Sequence, residues 1–172
     1  MKLFFPFLLV TTLQHGFAQT QKPNRNRHYV SLRATVVAPL GSFDDIYYSG
    51  AGINGIIHLK WLKKGAEVQV LTGYEKFEPK GGGIFGAISL IPIKMGVLQM
   101  ISKQFYLYGR TGIVAVKDEQ SPFSIRFTTD AGLGFAFKKF AVDIGFHGWG
   151  RKGGGFTNYF SAGVVLPFRR SD

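Results

Sequence analysis

The sequence predicts an all-β fold of eight antiparallel strands, and three observations support this fold class. Residues 123–137 read FSIRFTTDAGLGFAF, in which apolar or small side chains alternate with polar or glycine residues. A strand places every second residue on one face, whereas a helix would spread the phenylalanines around its circumference. The same alternation recurs along the chain. The composition, with 23 glycines, 17 phenylalanines and 18% charged residues, is typical of an exported β-protein.

The beginning of the chain has the pattern of an export signal. Lys2 precedes an apolar run from Leu3 to Leu13, and the small residues Gly16 and Ala18 follow it. This run is shorter than the roughly 20 residues that a transmembrane helix needs. We therefore expect a cleaved signal peptide at residues 1–18, a polar basic lead-in at residues 19–27 and a barrel at residues 28–172.

The first half of the chain contains four predicted strands. The first, residues 28–38, alternates apolar with polar side chains and ends at a loop containing proline, glycine and aspartate. The second, residues 51–61, and the third, residues 66–77, keep this period around a Lys-Lys-Gly turn. The fourth, residues 84–98, is apolar on both faces. Pro92 cannot donate a ladder hydrogen bond, so we expect a bulge or kink there.

The second half contains four more. The fifth strand, residues 105–116, carries tyrosine and arginine between apolar positions, and the sixth is the alternating segment at residues 123–137. A Lys-Lys turn leads to the seventh, residues 140–149, and a glycine loop leads to the eighth, residues 157–168. Because short connections join consecutive antiparallel strands, we expect an up-and-down barrel without helices.

Two barrels of opposite polarity fit this alternation. A soluble lipocalin-like barrel turns its apolar face inward, whereas a membrane barrel turns it toward lipid. Charges of both signs on the polar face, and short basic turns that alternate with longer polar loops, favour a transmembrane barrel. Aromatic residues also lie near the strand ends on the apolar face, as interfacial girdles do: Trp61, Tyr74, Phe105, Phe123, Phe137, Phe140 and Phe168.

The inward-facing charges predict a salt-bridge network in the barrel interior, because a buried charge without a partner is strongly unfavourable. We expect its members to be Arg33, Lys60, Glu67, Glu75, Lys94, Arg110, Arg126, Asp130, Asp143 and His147. His147 is expected to pair with Asp143, and His58 to be isolated. An eight-stranded barrel has room for little besides its own side chains, so a narrow pore for small solutes or ions is the alternative function.

The whole mature chain resembles the small eight-stranded outer-membrane β-barrels of Gram-negative bacteria, the OmpA/OmpX/OmpW-like group of the porin superfamily. Its C-terminal segment FSAGVVLPF resembles the terminal-strand signal read by the barrel assembly machinery, although four residues follow Phe168. The resemblance implies a multi-pass barrel in the outer membrane, in contact with its lipid and lipopolysaccharide. The match is one of pattern, so it implies fold and location far better than activity. For the role itself, we expect a structural or accessory one, alone or within a larger envelope complex.

The last hairpin also resembles outer-membrane lipid A deacylases, with His147 followed by Asn158 and Tyr159. That family has a serine two residues after its histidine and an acid before its asparagine, where this chain has Trp149 and Thr157. A base without a nucleophile supports no acyl transfer. We therefore expect a protein without enzyme activity. A lipid-modifying enzyme is a further alternative. The chain has no cysteine, and we expect no cofactor or metal.

The formal net charge is +11. The resemblance places both termini and the short turns on the periplasmic side, where a basic rim would comprise Lys63, Lys64, Lys103, Lys138, Lys139, Arg169 and Arg170. An exported chain rarely meets nucleic acid, so we expect anionic lipid or an acidic protein partner in the outer membrane or periplasm. The longest loop, Pro39 to Gly50, contains Phe43, Tyr47 and Tyr48, a composition suited to surface contact.

Overall fold

All eight predicted strands are present in the computed structural model, which describes residues 28–59, 65–81, 86–118, 121–151 and 155–168. The strands are β1 (Tyr29–Pro39), β2 (Gly50–Leu59), β3 (Ala66–Phe77), β4 (Ile88–Met100), β5 (Phe105–Asp118), β6 (Ser121–Ala136), β7 (Ala141–Gly150) and β8 (Phe156–Phe168). A single 3-10 turn, Gly41–Phe43, is the helical element among the described residues. The predicted signal peptide and lead-in lie outside these residues.

None of the helices in the described part of the chain is long and apolar enough to cross a membrane.

The strands form one closed antiparallel barrel in chain order, β1 to β8. β8 returns to pair with β1, with Ala34 opposite Val164 and Ala38 opposite Phe160. Closure uses the hydrogen-bonding edges of both terminal strands, so the sheet has no free edge. The predicted up-and-down β-barrel is therefore confirmed.

The barrel has an inverted distribution of polarity. Large apolar side chains face outward and stay exposed, for example Ile53, Met95 and Ile125 at 52%, 62% and 63%. The charged residues Arg33 and Lys94 face inward and are 0% and 2% exposed. A soluble barrel would show the opposite arrangement, so this surface is that of a barrel surrounded by lipid.

The bulge expected at Pro92 is absent. β3 and β4 pair as Thr72 with Ile93 and as Glu75 with Leu90, which is the same register on both sides of the proline. Pro92 itself pairs with Val114 on β5. Pro92 has no N–H to donate, and the β3–β4 ladder is interrupted locally beside it. The register of the two strands does not shift. A register shift occurs between β5 and β6, at Val116/Asp118.

The two ends of the barrel differ. At the end of the β1–β2 and β3–β4 loops, buried apolar side chains close the interior; they are Val37, Phe43, Tyr47, Phe77, Leu90, Val114, Trp149 and Tyr159. At the opposite end, near the β4–β5 and β6–β7 turns, the interior contains a partly open cavity of about 170 Å³. The charged residues occupy the middle.

Candidate functional site

The middle of the interior contains a belt of ion pairs centred on Asp130. Its Oδ2 accepts a hydrogen bond from Lys94 Nζ at 3.0 Å, and its Oδ1 accepts one from Arg110 Nε at 2.8 Å. All three side chains are buried. The sheet register brings Arg110 and Asp130 into contact, because Arg110 on β5 lies opposite Asp130 on β6. A buried carboxylate with two cationic partners has the compensation that its desolvation requires.

A second ion pair joins Arg33 on β1 to Asp143 on β7. Arg33 Nε and Nη2 donate to Asp143 Oδ1 at 2.9 and 2.7 Å. Arg33 Nη2 also donates to Ser161 Oγ at 2.8 Å. This serine on β8 lies between the two charged strands, so one guanidinium connects three of the eight strands.

His147 links the two ion pairs. Its Nε2 lies 2.6 Å from Ser161 Oγ, and its Nδ1 lies 3.4 Å from Asp130 Oδ2. Its ring stacks on Tyr159 at a centroid distance of 4.5 Å. Tyr159 in turn donates to Glu75 Oε2 at 2.6 Å. Seven of the predicted residues therefore share one connected interior network: Arg33, Glu75, Lys94, Arg110, Asp130, Asp143 and His147.

The remaining predicted members of the network lie elsewhere. Glu67 belongs to a separate cluster near the cavity end, described next. Arg126 is half-buried, and its Nε donates to Ser124 Oγ at 3.3 Å. Lys60 lies outside the described residues. The prediction that His147 pairs with Asp143 was wrong, because the β6–β7 register sets Asp130 opposite His147.

His58 is not isolated, contrary to expectation. Its ring stacks on Tyr29 at 4.0 Å, its Nδ1 lies 3.1 Å from Glu67 Oε2, and its Nε2 lies 3.0 Å from Ser31 Oγ. Tyr29 also donates to Glu67 at 3.0 Å. Sequence reasoning missed Ser31 and Ser161 as well. The alternation of the sequence indicates that both serines face inward in β1 and β8. Their histidine partners could not be predicted, because these depend on the register between strands.

Both clusters have the serine–histidine–acid order of hydrolytic enzymes, as Ser31–His58–Glu67 and Ser161–His147–Asp130. Geometry alone does not make them catalytic sites. Both serines are buried, at 1% and 3% exposure, although Ser31 and His58 line the cavity at one end of the barrel. Each lies in a strand paired on both sides, where backbone N–H groups serve the ladder and are not free to stabilise an oxyanion. The described residues contain no metal-binding cluster of three or more His, Cys, Asp or Glu.

The loop between β1 and β2, residues 40–49, closes one end of the barrel, and we call it the plug loop. Phe43 enters the interior and packs against Phe77 and Trp149 at ring distances of 5.0 and 5.1 Å. Tyr47 is buried beside it, at a ring distance of 4.8 Å from Phe43. The expectation that these two rings suit surface contact was wrong, because the barrel mouth offers them an apolar environment; Tyr48 remains 56% exposed.

Contacts with neighbouring loops hold the plug loop in place. Tyr47 forms a β-bridge with Pro79, and Tyr48 N–H donates to Glu78 O at 2.8 Å. Lys80 Nζ pairs with Asp44 Oδ1 at 2.9 Å. From the far side of the mouth, Arg151 Nη2 donates to the hydroxyl of Ser42, also at 2.8 Å. The plug loop is therefore fastened on both sides of the opening.

The opposite end carries the described part of the predicted basic rim. Lys103 lies in the β4–β5 turn, and Lys138 and Lys139 form the β6–β7 turn; all three side chains are exposed. The other predicted members, Lys63, Lys64, Arg169 and Arg170, lie outside the described residues. The cavity at this end is lined in part by His58, Glu67, Gln69, Tyr106 and Tyr108.

No protein-family model matches the chain, and the search of curated proteins finds no match. Solved structures do match. Ail, the attachment invasion locus protein of Yersinia pestis, superposes with a TM-score of 0.57 at 15% identity, over 82% of this chain and 97% of that chain. The N-terminal β-barrel domain of Pseudomonas aeruginosa OprF gives a TM-score of 0.50 at 14% identity, over 80% and 97%.

A de novo designed transmembrane β-barrel also matches, with a TM-score of 0.51 at 12% identity, over 87% of this chain and 100% of the design. At such identities the similarity concerns the fold, and a shared fold leaves the specific activity open. The resemblance to small outer-membrane barrels is confirmed at this level. The chain has the eight-stranded fold of the outer-membrane β-barrels, and its exposed apolar band is the surface that such barrels present to lipid.

Proposed function

We propose that this protein is a sealed, non-enzymatic outer-membrane barrel with a structural or accessory role. The observation that carries the proposal is the double closure of its interior. The plug loop fills one mouth with Phe43 and Tyr47, and the ion-pair belt around Asp130 fills the middle. The cavity at the other end leads into this belt.

Both closures oppose ion passage. A permeating ion would have to displace direct ion pairs at 2.7 to 3.0 Å in the belt and then pass a buried aromatic cluster. Hydrophobic constrictions close pores because water leaves them. The narrow-pore alternative therefore requires movement of the plug loop as well as rearrangement of the belt.

Planar-bilayer recording tests the sealed state. We expect the refolded wild-type barrel to show no single-channel steps above the background of the protein-free bilayer. Phe43→Ala combined with Tyr47→Ala removes the plug rings but leaves the belt, so it should stay silent alone and should produce small, brief openings only when Asp130→Ala also removes the centre of the belt. Tyr48→Ala changes the exposed tyrosine of the same loop and should leave the membrane silent. Steady conductance by the wild-type protein would refute the proposal.

The burial of both serines, and the pairing of their strands on both sides, support the absence of enzyme activity. A fluorophosphonate probe reacts with an activated serine, so we expect no labelling of the folded barrel. Lipid A incubated with the reconstituted protein should keep its mass. Labelling that disappears in Ser31→Ala or Ser161→Ala would instead favour the lipid-modifying alternative and would identify its nucleophile.

A further inference from the structure

Two turns at the cavity end are joined by hydrogen bonds into one edge. The turn 101–104 is closed by Ser102 Oγ, which accepts hydrogen bonds from the N–H groups of Gln104 and Phe105 at 3.2 and 3.0 Å. The β6–β7 turn is closed by Phe137 N–H donating to Phe140 O at 2.8 Å. Ala136 N–H donates to Gln104 O at 2.7 Å and joins the two turns.

This edge presents concentrated positive charge. Lys103 projects from the first turn, and Lys138 and Lys139 from the second, and all three are exposed. No salt bridge connects any of them to a carboxylate within residues 28–59, 65–81, 86–118, 121–151 and 155–168. The neighbouring turns therefore combine three positive charges with fixed backbone positions.

A ladder of aromatic rings adjoins the lysines, and two of its rings, Phe137 and Phe140, also border the cavity at this end of the barrel. Phe105 packs against Phe135 at 4.8 Å, Phe135 against Phe137 at 4.8 Å, and Phe137 against Phe140 at 4.6 Å. Phe105 and Phe137 remain about half exposed. The ladder continues the apolar exterior of the barrel up to the lysine-bearing turns, so apolar and cationic surfaces meet along one line.

We propose that this edge is a binding site for an anionic glycerophospholipid. The phenylalanine ladder contacts the acyl chains, and Lys103, Lys138 and Lys139 contact the headgroup phosphate. The barrel exterior already faces lipid, so the apolar half of the site is covered by acyl chains in the membrane. Lysine attracts phosphate as a compact point charge, and clustered basic residues next to a membrane favour anionic headgroups.

A lipid fits this edge better than an acidic protein does. Acyl chains already cover the ladder in the membrane, and a phospholipid has its phosphate and acyl chains in the same order as the two surfaces. An acidic protein would contact the lysines alone. The inference goes beyond the sealed-barrel proposal, since a conducting barrel could carry the same site.

Native mass spectrometry of the intact barrel, released from mixed micelles with equal amounts of phosphatidylglycerol and phosphatidylcholine, tests the site. The wild-type protein should retain more phosphatidylglycerol than phosphatidylcholine. The triple variant Lys103→Gln/Lys138→Gln/Lys139→Gln should lose this preference. We expect each lysine removed to lower the ratio of bound phosphatidylglycerol to bound phosphatidylcholine by about five-fold. Lysine-to-arginine changes at the same positions keep the charge and should keep the preference.

A matched control separates a local site from net charge. Lys76→Gln/Lys80→Gln/Lys117→Gln removes three charges near the opposite end and should leave lipid selectivity unchanged. Heat-modifiable migration on a gel verifies that each variant is folded. Equal retention of the two lipids by the wild-type protein, or an equal loss in the control, would overturn the proposal. The proposal would also be overturned if the triple lysine variant lost a co-purifying membrane protein but kept the lipid selectivity of the wild-type barrel.

Discussion

Arg33 and Asp143 form a buried ion pair between strands that are not neighbours. Arg33 lies on β1 and Asp143 on β7, and β8 runs between them. The guanidinium reaches across through two donors, with Nη2 at 2.7 Å from Asp143 Oδ1. On the way it also donates to Ser161 of β8. This one contact ties the strands on both sides of the barrel closure together from inside.

Breaking this pair should destabilise the barrel strongly. We expect Arg33→Met to lower the free energy of unfolding by about 3–5 kcal/mol, because it leaves the Asp143 carboxylate buried without its partner. The double variant Arg33→Met/Asp143→Leu removes both charges and should be more stable than the single variant. Urea unfolding in detergent micelles, followed by tryptophan fluorescence, measures both. A double variant that is less stable than Arg33→Met would contradict this account.

The belt around Asp130 should respond asymmetrically to substitution. Asp130→Asn leaves Lys94 and Arg110 both buried without a carboxylate, which should cost about 3–5 kcal/mol. Lys94→Met leaves the Arg110–Asp130 pair at 2.8 Å intact and should cost less. The same urea experiment ranks the two variants. The reverse order would show that Lys94 is the main partner of Asp130.

Gly134 is required by the packing of Tyr106. A Cβ atom on Gly134 would overlap the Tyr106 ring, whereas one on Gly109 meets no heavy atom within 4 Å. We expect Gly134→Ala to destabilise the barrel by about 1–3 kcal/mol, the usual cost of overpacking. Gly109→Ala is the matched control and should change stability by less than about 0.5 kcal/mol. Equal effects would mean that the Tyr106 ring moves aside without cost.

Tyr47 should make the plug loop sensitive to alkaline pH. Burial raises the pKa of Tyr47 above its ordinary value of 10.0, and the negative charge of Asp118 raises it further. A raised pKa means that the folded state favours the neutral phenol. Its contribution to stability is therefore complete below pH 10 and declines as the pH rises through the folded-state value.

Tyr47→Phe removes this titration. Between pH 9 and the alkaline limit of the measurement, the wild-type barrel should lose more unfolding free energy than Tyr47→Phe does. Because both proteins share every other tyrosine, the difference reports Tyr47 alone. Parallel pH profiles for the two proteins would show that Tyr47 has the same pKa in the folded and unfolded states, and would contradict this account.

The strand pattern was predictable because alternation is a local property of the chain. Residues 66–77 were predicted as the third strand and form β3 with the same limits. The start of β4 was predicted at residue 84 and lies at Ile88, because apolar residues on both faces obscure where pairing begins. The inverted polarity was also readable, since Arg33 shares the phase of Ser31 and Thr35 along β1.

Partner identities were not predictable in the same way. His147 was assigned to Asp143, four residues away on the same strand, yet it contacts Asp130 and Ser161 on the strands at either side. His58 has inward phase, but its stacking on Tyr29 depends on the β1–β2 register that pairs these two residues. The inward folding of Phe43 and Tyr47 depends on the apolar mouth formed by Phe77, Trp149 and Tyr159.

The sequence by itself determined the number of strands, their order and the face of each that meets lipid. These properties follow from the alternation of apolar and polar side chains with a period of two residues and from the short connections between strands. Both are features of residues close together in the chain. The tertiary structure decided which charges pair, which end is sealed and where lysines meet aromatic rings. These features depend on register and closure, which bring together residues as distant as Arg33 and Asp143, 110 positions apart.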